Sequence, residues 1–258
     1  MLDSKFQFQN FEVETNYQVV FLQMRKQVIA IDGPASSGKS TTVKLVARRL
    51  GFIYLDTGAM YRAITLKALR NRISPEDGKA LAGIARESKL DLMDEDGINK
   101  VYLDGEDVTE LIRKPEINKM VSEVSLHKEV RAALVSKQKE IGQKYDLVAE
   151  GRDTTTVVFP DATLKVYLDC DIKERAKRRM LEFKGKGINT TLEEQEKELS
   201  RRDKIDSERE ASPLKKDPEA IIVDTTNLTI EEQVDKVIQL YERSKKDEIP
   251  LSGSRGHD

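Results

Sequence analysis

The sequence is poor in the residues on which many enzymes are built. Its 258 residues include one cysteine, Cys170, and two histidines, His127 and His257. One thiol excludes an intrachain disulfide and a thiolate metal cluster, and so few Cys and His residues exclude a zinc site built on several of them. A Ser-His-Asp or Cys-His mechanism would rest on His127 alone. Apolar runs are short (Val19–Leu22, Val28–Ile31, Ala220–Val223), far below the about 20 residues of a membrane helix. Charge of one sign is missing too: 44 Lys and Arg against 46 Asp and Glu leave a formal charge of −2, without the basic excess of a dedicated nucleic-acid binder. Residues 1–26 carry no signal-peptide pattern and read as a disordered polar leader; residues 1–23 are expected to be dispensable, with Met24 as an alternative start. What remains for chemistry is Lys, Arg, Asp, Glu, Ser and Thr, a set suited to phosphates.

Short apolar segments alternate with amphipathic ones, which predicts an α/β domain with a mainly parallel sheet. Strands are expected at Gln27–Asp32, Phe52–Asp56, Leu147–Ala149, Lys165–Leu168 and Ala220–Val223. Helices are expected from Lys39 to a Gly51 cap, then at Ala59–Arg70, Pro75–Ser88, Leu126–Gly142, Asp171–Phe183 and Thr191–Glu210, with a last one marked by Ile230 to Tyr241. In Asp171–Phe183 the apolar residues face inward and the Arg and Lys residues outward. Leu90–Val108 reads as short strands turning at Asp96-Gly97 and Asp104-Gly105. Two polar stretches, about 57–125 and 184–212, interrupt the alternation as candidate inserts within one domain of residues 27–244, and 245–258 read as a flexible tail.

One motif is specific. Gly33-Pro34-Ala35-Ser36-Ser37-Gly38-Lys39-Ser40 fits G-x-x-x-x-G-K-[ST] between a predicted strand and helix, and Thr41 follows it. The glycines allow close backbone approach, loop N–H groups at the helix N-terminus surround a polyanion, Lys39 brings a point charge to β and γ phosphates, and Ser40 offers a hydroxyl to Mg²⁺. The motif predicts binding of a nucleoside triphosphate. No Asn-Lys-x-Asp guanine motif accompanies it, since Asn99-Lys100 and Asn118-Lys119 continue differently. An apolar strand ending Asp-Glu, as in motor ATPases, is also missing, so a small-molecule kinase fits better.

Further polar segments are LDTGAMYR (Leu55–Arg62), LDGEDVTELIR (Leu103–Arg113), Ser122 with Arg131, EGRDTTTVVFPDA (Glu150–Ala162), and the row Arg202, Asp206, Arg209 at i, i+4, i+7. With IDGPASSGKST (Ile31–Thr41), and in this order, the chain resembles the bacterial cytidylate kinases of the nucleoside monophosphate kinase superfamily from about Val28 to Tyr241. The resemblance implies a three-layer core with a five-stranded parallel sheet, a monophosphate-binding insert and a helical lid. It implies a cytoplasmic, monomeric enzyme with ATP and Mg²⁺ as cofactors and CMP and dCMP as substrates, binding neither nucleic acid nor membrane. It assigns Lys39, Arg152 and Arg209 to catalysis, and Arg62, Arg152 and Arg209 to the CMP phosphate, with Thr57 nearby. Ser122, Arg131 and Asp153 would face cytosine, Arg202 and Asp206 the ribose, and Arg178 the ATP side; Glu150 would orient Mg²⁺ through water. Two alternatives stay open: a monophosphate kinase of another base preference, and a non-catalytic ATP-binding regulator. The chain departs from the pattern at Thr154-Thr155, where an apolar residue and then Gly are usual, so that the loop beside Arg152 is expected to be set differently. It also carries Glu150 where Asp is common and His127-Lys128 at a turn where Pro is frequent.

Overall fold

A computed structural model describes residues 26–95, 98–185 and 187–248. Its centre is the strand β1 (Val28–Asp32), buried at all five positions. Flanking it in a wholly parallel sheet are β6 (Leu147–Gly151) and β7 (Leu164–Asp169), with β2 (Ile53–Asp56) and β8 (Ile221–Asp224) at the edges, in the order β2-β6-β1-β7-β8. Register pairs Asp32 with Gly151 on one side and with Tyr167 on the other. Helices cover both faces, so these strands are apolar on both sides. Ile29 and Ile31 pack with Val43, Val46, Val234 and Val237 from α1 (Lys39–Leu50) and α8 (Ile230–Glu248). On the opposite face, Val28 and Ala30 pack with Met60, Ile64, Leu81 and Leu134 from α2 (Thr57–Arg70), α3 (Gly78–Glu87) and α5 (Lys128–Lys144).

A second, antiparallel sheet of β3 (Leu90–Glu95), β4 (Ile98–Leu103) and β5 (Glu106–Asp107) leans on α2 through Val101, Leu103 and Val108. The predicted Asp104-Gly105 turn joins β4 to β5, with both residues at positive φ; Asp96-Gly97 lie outside the described residues. The helices α6 (Ile172–Gly185) and α7 (Leu192–Glu208) pack as a pair, and α7 opens on a capping box between Thr191 and Glu194.

Several expectations need correction. The helix expected from Pro75 begins at Gly78, because the Asp77 carboxylate accepts from the Ala80 N–H at 3.0 Å and caps it there. Residues 115–124, left within a polar stretch, form a helix, α4 (Pro115–Val124), with Ile117, Val121 and Val124 buried. Lys245–Glu248, placed in the tail, continue α8; residues 249–258 and 1–25 lie outside the described residues. Arg175, expected to face outward with the charged side of its helix, is buried at 7% exposure. Finally, Thr154–Val158 make a single wide helical turn, and no residue in it has positive φ, so Thr155 is accommodated without strain.

Candidate active site

The C-terminal ends of β1 and β6 meet where the sheet order reverses, the place where open parallel sheets bind ligands. From β1 the chain turns through Gly33 at φ +153; a Cβ there would stand 2.2 Å from the Leu168 carbonyl oxygen. Ser36 (φ 60) and Gly38 (φ +95) curl the backbone so that α1 begins at Lys39 without a side-chain cap. Its first N–H groups therefore stay available to an anion. The Lys39 ammonium is buried, donating to the Pro34 carbonyl and to the Ser37 hydroxyl at 3.3 Å. Burial, and then the Arg152 guanidinium, push it well below the usual lysine range, while Glu150 and Asp32 oppose this. Polyphosphate in the loop would supply the missing countercharge.

Ser40 is exposed, and its hydroxyl donates to Glu150 Oε2 at 2.9 Å; the Tyr54 hydroxyl donates to Glu150 Oε1. Burial and the neighbouring Asp56 raise the Glu150 carboxyl. From behind, the loop is held by the β8–α8 connection and by α6. The Thr225 hydroxyl donates to the Ser37 carbonyl at 2.9 Å, and Arg178 donates to the Thr225 carbonyl at 2.6 Å. Buried Gln233 accepts from Thr42 at 2.9 Å. Arg178 thus stands beside Gly38 of the loop.

Across the sheet end lies a second cluster, made almost wholly of side chains. Arg131 from α5 and Asp153 from the loop after β6 form an ion pair at 4% and 7% side-chain exposure. Arg131 also lies 5.3 Å over the Tyr61 ring. Arg152 donates through Nε to Asp206 of α7 at 2.8 Å. Burial opposes the Arg152 charge, but Asp206, with Glu150 and Asp203, more than offsets it, and Arg152, with Arg202 and Arg209, holds Asp206 below the usual carboxylate range against its own burial. Arg209 donates to the Ser212 carbonyl at 2.8 Å and sits 3.9 Å from Asp153. Burial and the facing Arg131 lower its pKa. Arg202 is pushed down to about 10 by burial and then by Arg152 and Arg62. Three guanidiniums therefore crowd one another where a polyanion would relieve them. Arg131 Nε, Arg209 Nη2 and the Tyr61 hydroxyl are buried and have no hydrogen-bond partner among the described residues, and burial raises that hydroxyl to about 12.

The structure thus brings Arg131, Arg152, Asp153, Arg202, Asp206 and Arg209 together, with Arg62 beside them, its Nε 3.4 Å from Asn118. Thr57 is near, but its hydroxyl proton goes to the Glu150 carbonyl at 2.7 Å. The Ser122 hydroxyl makes no hydrogen bond to this cluster among the described residues; just past the end of α4, the Ser125 carbonyl accepts from Arg131 Nη1 at 3.3 Å. Several residues around the site, Thr225 among them, were not singled out from sequence. Tyr54, Asp32 and Gln233 bond to residues far away in the chain. Arg175 reaches the Cys170 and Ala35 carbonyls and Asp203 at 3.0, 3.2 and 2.6 Å, tying α6, the phosphate loop and α7 into one unit.

Comparison with known proteins identifies the family. The family described as Cytidylate kinase matches residues 29–243. A cytidylate kinase of Caldanaerobacter subterraneus is 51% identical over 221 residues, 86% of this chain and 97% of that one. The cytidylate kinase of Lactobacillus gasseri is 48% identical over 218 residues, 84% and 95% of the two chains. That of Caldicellulosiruptor bescii is 46% identical over 226 residues, 88% of this chain and all of the other. A phosphate loop facing a buried arginine-carboxylate cluster, on a chain matched along most of its length, makes this protein a member of the cytidylate kinase family.

Proposed function

We propose that the chain transfers the γ-phosphoryl group of ATP to CMP and dCMP, giving CDP or dCDP and ADP. The observation that carries the base preference is the buried Arg131–Asp153 pair with partnerless donors around it. Cytosine offers an amino donor and two acceptors, N3 and O2. Asp153, as a carboxylate, only accepts; Arg131 only donates and holds its Nε in reserve. The amino group meets Asp153 while N3 or O2 meets Arg131, with Ser122 at the same edge. Arg62, Arg152 and Arg209 hold the monophosphate dianion, with Thr57 beside it, and Arg202 and Asp206 reach the ribose hydroxyls. Asp206 then has two duties, since its carboxylate also orients Arg152.

No covalent intermediate is needed. Loop N–H groups and Lys39 hold the triphosphate, Arg178 lies on its side of the site, and Arg152 and Arg209 bring the acceptor oxygen in line and neutralise charge that develops during transfer. Among the described residues no group of three or more His, Cys, Asp and Glu could hold a metal. The Ser40 hydroxyl beside Glu150 nevertheless fits Mg²⁺, a cation usually bound by one or two protein oxygens plus substrate phosphates. Bound there, Mg²⁺ supplies charge neutralisation of the phosphates. Residues 57–125 form the monophosphate-binding insert and 184–212 the lid of a single domain, whose closure excludes water. We place the enzyme in the cytoplasm as a monomer; no described helix is long and apolar enough to cross a membrane.

Coupled ADP release with CMP, dCMP, UMP, AMP and GMP tests the reading. It requires turnover with CMP and dCMP well above the other three; the absence of any monophosphate-dependent ADP release would favour a non-catalytic binder, and equal use of UMP another base preference.

A further inference from the structure

Asp32 is the last residue of β1 and the residue before the phosphate loop. It is fully buried, and its carboxylate accepts four hydrogen bonds from two consecutive residues. Oδ1 accepts from the N–H of Thr154 at 2.9 Å and from its hydroxyl at 2.7 Å. Oδ2 accepts from the N–H of Thr155 at 2.8 Å and from its hydroxyl at 2.6 Å. Burial raises the Asp32 carboxyl and the four donors oppose it. Both threonines are themselves fully buried, in the turn that follows Arg152 and Asp153.

The segment is fixed from the other side as well. Thr57 donates to the Glu150 carbonyl, and a Cβ on Gly151 would stand 2.7 Å from both Thr57 Oγ1 and Thr154 Cγ2. Glu150 to Thr155 is therefore gripped between the start of α2 and the end of β1. The grip at β1 is one residue from Gly33, whose own position is set by contact with the Leu168 carbonyl. A shift of Asp32 relative to Thr154 changes the distance between the two halves of the site.

We propose that Asp32, acting through Thr154 and Thr155, is a positioning residue for phosphoryl transfer: it sets the register between the donor phosphate loop and the acceptor residues Arg152 and Asp153. The two threonine hydroxyls, at positions where the family pattern has an apolar residue and Gly, supply half of the donors on this carboxylate. The proposal rests on CMP phosphorylation as the activity. A displacement near 1 Å lowers transfer about 10²-fold without unbinding either nucleotide.

The test uses the full-length protein in four forms: wild type, Asp32→Asn, Thr154→Val/Thr155→Val and Thr154→Ser/Thr155→Ser. For each, kcat with saturating ATP and CMP is measured beside the affinity for a non-hydrolysable ATP analogue by calorimetry. Asp32→Asn keeps shape but turns a donor toward one threonine. Its kcat falls about 10²-fold and that of the double valine about tenfold, with analogue affinity changed by less than about threefold; the double serine restores kcat. If Asp32→Asn does not fold, the threonine pairs decide. Valine variants within about threefold of wild-type kcat, or a loss of kcat matched by an equal loss of analogue affinity, would overturn the proposal. Wild type that fails to turn over CMP would instead overturn the activity on which it rests.

Discussion

The two halves of the site are made differently. The phosphate loop is a backbone structure: six consecutive residues, Gly33–Gly38, join β1 to α1, three of them have positive φ, and the groups it offers are N–H donors and one lysine. The proposed acceptor half is a side-chain structure: Arg62, Arg131, Arg152, Asp153, Asp206 and Arg209 come from four separate stretches of chain, and all but Arg62 pair with one another. A backbone site is fixed by local conformation and tolerates changes of side chain that point away from it. A side-chain site is held by mutual charge, so loss of one partner leaves another buried and uncompensated. Arg175 joins the halves, because it bonds to the loop at Ala35 and to α7 at Asp203.

This contrast predicts where a substitution harms rate and where it harms stability. Lys39→Met removes the loop's one charge at nearly constant volume. It should lower kcat about 10²–10³-fold, a loss of about 2.7–4 kcal/mol in transition-state stabilisation, with the melting temperature almost unchanged. Steady-state kinetics and calorimetric melting on the same sample check both parts, and near wild-type turnover would remove the loop from the chemistry.

Arg175→Met should do the reverse. It deprives two carbonyls and Asp203 of a buried donor, for which about 3 kcal/mol is expected. For a domain of this size that is a drop of about 6–12 °C in Tm. A variant melting with wild type would mean that the two halves are not joined through this residue.

A smaller effect concerns pH. The folded pKa of Asp206 lies below its ordinary value because of Arg152, despite burial. Its contribution to stability is therefore present above the unfolded value near 3.8 and is lost as pH falls through the lower, folded one. Asp206→Asn should be less stable than wild type at neutral pH, and the difference should shrink as the pH drops below about 4. Urea melts at a series of pH values measure it; a constant difference would show that Asp206 is not held ionised by Arg152.

The same contrast explains what could be read from sequence. The phosphate loop was legible because its motif, strand and helix are contiguous. The parallel sheet was legible because strands covered on both faces leave short apolar runs such as Val28–Ile31. The acceptor residues became legible only through the family resemblance, since a row such as Arg202, Asp206, Arg209 is otherwise most often a solvated ion-pair stripe. Buried Arg175 was hidden for the same reason: on a helix rich in Arg and Lys, nothing local marks the one that turns inward. Helix α4 did carry a signal, Ile117, Val121 and Val124 at i, i+4, i+7, within a stretch dominated by polar residues. The start of α3 was misplaced because Pro75 suits a first helical turn, yet the capping carboxylate is Asp77. At Thr154-Thr155 the expectation of a differently set loop took account of backbone freedom alone, whereas two hydroxyls and two N–H groups found one buried carboxylate 122 and 123 residues earlier.

On the proposed function, the Arg131–Asp153 pair reads the base. The most direct test is the ratio of kcat/KM for CMP to that for UMP, in wild type and in Asp153→Ala. Uracil turns an acceptor, O4, toward Asp153 and a donor, N3–H, toward Arg131. At about 1–3 kcal/mol for each unsatisfied group, wild type should favour CMP about 30- to 10⁴-fold. Asp153→Ala should lower activity on CMP far more than on UMP and bring the ratio toward one. A wild type that uses both nucleotides within about threefold, or a variant whose ratio is unchanged, would contradict the claim.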